Sequence, residues 1–187
     1  MTVLMAQGIS VNATLVFSPE QADRCIDAMR EGIVQTDKRV DGVISVFVSR
    51  FDRLLDEKLV AAGIQPAKTG IFNAAKIYNR IEEAGLHNVR TLFASTGVKG
   101  DTLRPDYYIR ELLAPHSVNT APLSTIEAYI KNPSYEPQLP ISSQQIHAYF
   151  DQVHQAGIDM EEVYRSLLED GLVAFEEAFA QMLERIE

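Results

Sequence analysis

Cysteine is scarce in this sequence, and glycine and proline are few, which excludes several classes of protein. The 187 residues include 1 Cys, 10 Gly and 8 Pro, and 46% of them are hydrophobic. Collagen-like and disordered chains are excluded by this composition. Cys25 has no partner for a disulfide within the chain, and no Cys/His cluster has the spacing of a zinc finger. A reducing compartment is the simplest setting, so we expect a cytoplasmic protein.

An excess of positive charge is also lacking. The chain has 17 basic and 26 acidic residues and a net charge of -9, so its surface repels polyanions. We therefore expect neither nucleic acid nor an anionic membrane as a partner. Its longest apolar run, Val43 to Val48, is interrupted by Ser45, and no run approaches the roughly 20 residues that a membrane helix needs. Small phosphorylated ligands remain possible, since one or two local cations suffice to bind them.

The sequence does contain an alternation of short apolar segments and longer helical patterns, which is typical of repeated βα units with a parallel sheet. Four strands are predicted over residues 9–16, 40–48, 89–94 and 117–120. Ser18, Pro19 and Gln21 have the spacing of a helix N-terminus with a capping box. After a proline-rich connection we expect only helices, at residues 143–155, 159–169 and 172–185. The predicted division is therefore an α/β part at 1–140 and C-terminal helices at 141–187.

Motifs of the common enzyme classes are absent from the sequence. It has no GxGxxG, no GxxxxGK[ST], no GxSxG and no HExxH, so dinucleotide, P-loop, serine-hydrolase and zincin chemistry are unsupported.

Polar side chains instead interrupt the predicted strands or follow them. Because parallel strands place their carboxyl ends at one edge, we expect a candidate site formed by Asn12, Thr14, Ser45, Phe47, Arg50, Ser95 and Lys99. Each polar residue alone is more often structural, satisfied by local backbone groups. Arg50 has such an alternative as well, a surface ion pair with Asp52 or Asp56. Their occurrence together favours a functional site, since buried strands seldom carry unneeded polar groups.

Five stretches closely resemble the transaldolase family, in the same order along the chain: GISVNATLVFS (8–18), VISVFVSRFD (43–52), LFASTGVK (92–99), YYIRELLAPHSVNTAPLSTIEA (107–128) and LLEDGLVAFEEAF (167–179). The resemblance implies a (β/α)8 TIM barrel. It also implies transfer of a dihydroxyacetone unit between a ketose phosphate and an aldose phosphate, in the pentose phosphate pathway. The family works through a Schiff base on a lysine, without a metal or an organic cofactor, so sugar phosphates are the expected partners.

The resemblance assigns expected roles to the candidate residues. Asn12 and Thr14 correspond to the site residues of the fifth barrel strand, where Thr14 helps to hold a water used in proton transfer. Ser45 and Phe47 correspond to the substrate-lining pair of the sixth strand. The phosphate-binding residues correspond to Arg50 and Ser95, whereas Lys99 matches less closely, because the family often has an arginine in this loop.

By the same resemblance, the chain corresponds to strands five to eight, and the Schiff-base lysine belongs to the absent first half. None of the six lysines (Lys38, Lys58, Lys68, Lys76, Lys99 and Lys131) is predicted to replace it, since all lie on exposed helices or loops. We therefore expect a chain that is catalytically incomplete alone, either a fragment or one half of a split enzyme. The open edges of a half-barrel favour self-association or pairing with the other half. A non-catalytic phosphosugar-binding or scaffolding half-barrel is the alternative.

Overall fold

The computed structural model describes residues 1–186, which form one four-stranded sheet and eight helices. In chain order the elements are α1 (Thr2–Ala6), β1 (Val11–Val16), α2 (Pro19–Ile33), β2 (Gly42–Phe47), α3 (Ser49–Ala61), α4 (Thr69–Glu83), β3 (Val89–Ala94), α5 (Tyr107–Glu111), β4 (Ser117–Asn119), α6 (Leu123–Lys131), α7 (Ser143–Gln155) and α8 (Met160–Glu184).

The four strands are parallel and lie in the order β1-β2-β3-β4. This confirms the prediction of four parallel βα units, the architecture of half an eight-stranded barrel. One face of the sheet is covered by α2 and α4, and there Ile44, Val46 and Phe93 belong to a buried core. The opposite face is called the open face below.

Alternation along the strands determines which residues belong to the open face. Val89, Thr91 and Phe93 of β3 are buried, so Arg90 and Leu92 point the other way. The strand register pairs Arg90 with Val43, and Val43 in turn with Asn12. It also pairs Leu92 with Ser45 on one side and with Val118 on the other. The open face consists of Asn12, Thr14, Val43, Ser45, Phe47, Arg90, Leu92, Ala94 and Val118.

The start of α2 agrees with the pattern in the sequence. The Ser18 hydroxyl accepts a hydrogen bond of 3.0 Å from the backbone N–H of Gln21, whose side chain accepts one of 2.9 Å from the backbone N–H of Ser18. Pro19 occupies the first helical position, where its missing N–H leaves no bond unmade. The predicted capping box is therefore confirmed.

The simple alternation expected in β1 is wrong at Leu15. This residue has a φ of 56°, and between the pairs Ala13–Ile44 and Val16–Val46 two residues of β1, Thr14 and Leu15, lie opposite one residue of β2, Ser45. Such a bulge moves Leu15 and Phe17 away from the face of Ala13. Both belong to a second core, which packs over the carboxyl end of the open face. No glycine marks the bulge, so the sequence gives no sign of it.

The last two of the three predicted C-terminal helices, 159–169 and 172–185, form the single helix α8, which continues through Gly171. A Cβ atom at this position would lie 3.1 Å from Leu15 and 3.4 Å from both Arg50 and Phe17. Gly171 is therefore a point of close packing and not a helix break. Beyond it, the apolar stripe of Phe175, Phe179, Met182 and Ile186 is about half exposed or more. Despite the 25 residues of α8, no helix within residues 1–186 is long and apolar enough to cross a membrane.

We expect Gly70→Ala to destabilise the protein, although alanine is the better helix former. A Cβ atom on Gly70, in the first turn of α4, would lie 2.3 Å from the carbonyl oxygen of Val48. Relieving that contact requires the backbone to move, so the free energy of unfolding should fall by roughly 1–3 kcal/mol in urea titrations. Ser166→Ala, on the exposed side of α8, is the control. A Gly70→Ala variant as stable as the parent would contradict the close packing.

Candidate functional site

A cavity of about 540 Å³ opens beyond the carboxyl ends of β2, β3 and β4. Its lining comes from the first turn of α3, the loop after β3 and the segment after β4: Ser49, Arg50, Arg53, Ser95, Thr96, Gly97, Val98, Lys99, Thr120, Ala121 and Pro122. Three of the predicted residues, Arg50, Ser95 and Lys99, are thus brought together in one cavity.

Backbone hydrogen bonds hold the walls of this cavity in place. The parallel ladder continues beyond the strands, because the N–H groups of Val48 and Ser49 donate to the carbonyls of Ala94 and Ser95, each at 3.0 Å. Ser95 has a φ of 57°, which turns the chain out of β3. Its hydroxyl lies 3.0 Å from the hydroxyl of Ser49, within hydrogen-bond distance. Two hydroxyl groups are therefore fixed side by side at the first turn of α3.

Arg50 reaches the cavity over two aromatic rings. Its guanidinium carbon lies 5.2 Å from the ring centroid of Phe47 and 5.9 Å from that of Phe17. Partial burial lowers the pKa of Arg50, nearby Arg53 lowers it further, and Asp170 acts in the opposite direction. The group stays charged, because the ordinary pKa of arginine is so far above neutrality. The rings and α8 thus restrict where this cation can lie.

The cations of the cavity have no carboxylate partner. Within residues 1–186, no ion pair includes Arg50, Arg53 or Lys99. Asp52 and Asp56, which the alternative for Arg50 requires, bind elsewhere: the Asp52 carboxylate accepts from the N–H of Gly70 and that of Asp56 from the N–H of Ala67, both at 2.9 Å. The positive charge of the cavity is therefore available to an anion, for which paired hydroxyls and guanidinium groups are suitable partners.

Polar residues of the open face form a second group, which adjoins the first through Phe47. The Ser45 hydroxyl donates to the side-chain oxygen of Asn12 at 2.7 Å. Ser45 is buried, whereas Asn12 and Thr14 are exposed. Phe47 lies two residues beyond Ser45 on the same face and contacts Arg50. Amide, hydroxyl and guanidinium groups thus follow one another toward the cavity.

Asp52, in the same helix turn as Ser49 and Arg50, is a buried carboxylate that has no cationic partner in the part of the chain that the structure describes. Besides Gly70, it accepts a hydrogen bond of 2.8 Å from the hydroxyl of Tyr108. Burial raises the pKa of Asp52 from 3.8 to about 6, although both hydrogen bonds act to lower it. Asp52 joins α3, which carries Ser49, Arg50 and Arg53, to the start of α4 and to α5.

The sequence prediction missed four polar residues of the cavity: Ser49, Arg53, Thr96 and Thr120. Arg53 was detectable, because a helix that begins at Ser49 places Arg50 and Arg53 three apart on one side. The sequence pattern alone predicts that this helix begins at about Phe51, which leaves Arg50 before the helix. The hydroxyl of Thr96 donates to the carbonyl of Thr120, a contact between distant segments that no local pattern indicates.

Comparison with known proteins agrees with this architecture. A family model described as transaldolase/fructose-6-phosphate aldolase matches residues 1–186. The chain belongs to the transaldolase/fructose-6-phosphate aldolase family. A transaldolase from Campylobacter jejuni (strain 81-176) is 42% identical over 194 residues, which cover 98% of this chain and 58% of that protein. A transaldolase from Helicobacter pylori (strain Shi470) is 41% identical over 182 residues, covering 97% and 55%.

This transaldolase-family chain therefore spans little more than half the length of the curated relatives that it matches. The first of the matching stretches from the sequence, GISVNATLVFS, contains β1, and the last lies in α8. Within residues 1–186, no group of three or more His, Cys, Asp or Glu side chains is arranged to hold a metal ion.

We expect Asp52→Asn to change how stability depends on pH. The folded state holds the Asp52 proton more tightly than the unfolded state, so this group stabilises the fold increasingly as the pH falls from 7 toward 5. Linkage sets the gain at about 1 kcal/mol over that range. Urea titrations at pH 7 and pH 5 should show a pH-dependent gain that is smaller by this amount in Asp52→Asn. Asp151→Asn, on the exposed surface of α7, should behave like the parent, and an unchanged pH dependence in Asp52→Asn would contradict the assignment.

Proposed function

We propose that this chain supplies the phosphate-binding part of a transaldolase site. The reaction transfers a dihydroxyacetone unit from a ketose phosphate to an aldose phosphate through a Schiff base, in the cytoplasmic pentose phosphate pathway. The observation that carries the proposal is the cavity at the carboxyl ends of the strands, in which Arg50, Arg53 and Lys99 have no carboxylate partner among residues 1–186. Family membership supplies the class of reaction.

The phosphate group of the sugar is the part of the substrate that fits this cavity. Arg50 donates from its guanidinium, one of the paired hydroxyls of Ser49 and Ser95 donates from the wall while the other donates to it, and Lys99 contributes charge from the loop. The aromatic support of Arg50 keeps its donors in one orientation, so little conformational entropy is lost on binding. The phosphate thereby fixes where the sugar chain begins.

The sugar chain then extends over the open face. Phe47 borders the path from the cavity, and Ser45 and Asn12 offer hydroxyl and amide groups to the sugar hydroxyls. Thr14, exposed on the same strand as Asn12, holds the water that carries protons during formation and hydrolysis of the Schiff base. In this proposal Asn12 and Thr14 are catalytic, whereas Ser45, Phe47, Arg50, Ser95 and Lys99 bind substrate.

The Schiff-base lysine is proposed to come from outside this chain. A nucleophilic lysine needs a lowered pKa. At Lys68, burial acts to lower the pKa, but hydrogen bonds to Glu111 and Tyr107 outweigh it and the pKa is raised. Lys38 and Lys58 are exposed and donate to backbone carbonyls, Lys76 lies on the helical surface over Phe150, and Lys131 ends α6. We therefore propose that residues 1–140 form a half-barrel, with residues 141–187 packed on it, that requires a lysine-bearing other half.

A second candidate is a phosphosugar-binding half-barrel without catalysis. Two observations favour it when family membership is set aside. The cations of the cavity are assembled within this chain, and its lysines either lie away from the cavity or, like Lys99, bind the phosphate. The two functions share the binding step and differ in whether a Schiff base ever forms.

We expect the chain to bind fructose 6-phosphate, and we expect Arg50→Ala to weaken that binding. Removing a donor to a charged group costs about 1.5–3 kcal/mol, so the dissociation constant measured by calorimetry should rise at least about tenfold. Arg39→Ala changes an exposed arginine that precedes β2, at the opposite end of that strand from Arg50, and should bind like the parent. Fructose without phosphate should bind weakly to all three. Equal affinity for fructose and fructose 6-phosphate would contradict a phosphate site.

Borohydride trapping with fructose 6-phosphate should give no adduct on the isolated chain. Intact mass and peptide mapping would detect a reduced dihydroxyacetone adduct on lysine. Adding the part of the Campylobacter jejuni transaldolase that lies outside the matched region should restore trapping on a lysine of that added segment. Binding without trapping in any mixture would favour the non-catalytic module, and an adduct on one of this chain's own lysines would overturn the proposal that the lysine comes from elsewhere.

A further inference from the structure

The part of the open face nearest the amino ends of the strands, and both edges of the sheet, are uncovered, whereas the second core covers the carboxyl end of that face. Within residues 1–186, β1 and β4 each pair with one strand only, so each has a row of unpaired backbone groups. Helix α1 precedes β1 and exposes Val3 and Leu4, and helix α6 follows β4 and exposes Leu123 and Ile130. Apolar surface therefore flanks both open edges, as it would where further βα units pack beside them.

One charged residue lies on this surface. Arg90 is the only charged residue in the four strands, and it lies near the amino end of β3, beside Val43 of β2. It is exposed, and no ion pair within residues 1–186 includes it. Once strands cover the open face, this guanidinium would lie in the interior of a barrel, where an unpaired charge is strongly unfavourable.

Two occupants could complete the sheet to eight strands, and Arg90 distinguishes between them. A second copy of this chain would bring a second Arg90 and, within its four strands, no carboxylate; Asp41, which directly precedes β2, makes no ion pair with Arg90 within residues 1–186. A segment with an Asp or Glu on its inward face would neutralise the charge. The unmatched 42% of the Campylobacter jejuni relative, that is 100% less the 58% matched, is long enough to provide such a segment.

We propose that the open face is the docking surface for a parallel half-sheet that presents a carboxylate to Arg90, and that Arg90 opposes docking of a second copy. This inference rests on the proposed function in one respect, that another segment completes the site. Arg90 acts at the amino end of β3, far along the strand from Ser95 and the phosphate cavity, so its effect on partner choice can be measured separately from ligand binding.

The first experiment uses the chain alone. Light scattering coupled to gel filtration should show the parent as a monomer of 20.9 kDa. Replacing the charge in Arg90→Met should strengthen self-association at least about tenfold, because two copies can then meet without opposed guanidinium groups. Arg24→Met, on the outer helix α2, is the matched control. A stable dimer of the parent, or equal self-association of the two variants, would overturn the proposal.

The second experiment tests the carboxylate partner. The unmatched segment of the Campylobacter jejuni transaldolase is co-expressed with the tagged chain, and the complex is quantified by native mass spectrometry. We expect a one-to-one complex that weakens at least about tenfold in Arg90→Met, weakens further in Arg90→Glu and is largely restored in Arg90→Lys. No complex with the parent, or equal complexes with parent and Arg90→Glu, would overturn the proposal. Fructose 6-phosphate binding by each variant, expected to be unchanged, keeps this result separate from the proposed function.

Discussion

Parallel hydrogen bonding from β1 to β4 brings every strand's carboxyl end to the same edge of the sheet, and the candidate site depends on this arrangement. Residues far apart in sequence, such as Arg50, Lys99 and Thr120, line one cavity as a result. The bonding continues past the strands, where Ser49 donates to the carbonyl of Ser95 and their hydroxyls lie together. A slip of one residue between β2 and β3 would separate these hydroxyls and turn Ser45 to the opposite face.

The charges near the site are arranged in two ways that serve different purposes. Arg104 and Arg110 both pair with Asp106, and those charges hold the loop before α5 in place. Arg50, in contrast, is supported by the rings of Phe17 and Phe47 and keeps its donors toward the cavity. Aromatic support immobilises a cation without neutralising it, whereas a carboxylate would compete with a bound anion for the same donors.

Much of the fold could be predicted from sequence, because its signals are local. The capping box at Ser18 and the apolar strand segments depend on neighbours in the chain, and they placed the elements within a few residues. The errors lie where distant contacts decide. Leu15 adopts a positive φ without a glycine to indicate it, and Gly171 is small because α8 packs against β1. In the site, Arg50, Ser95 and Lys99 follow strands and could be predicted, whereas the contact of Thr96 with Thr120 depends on the folded arrangement of separate loops.

The exposed stripe on α8 has a consequence for the lifetime of the chain in a cell. Phe175, Phe179 and Met182 lie on a helix whose earlier turns are anchored in the core by Val163, Tyr164 and Leu167. An ordered but uncovered apolar helix offers chaperones and proteases a binding surface that most folded proteins hide. The abundance of this chain would therefore depend on how quickly that stripe is covered after synthesis, and its degradation rate would report whether a covering surface is present.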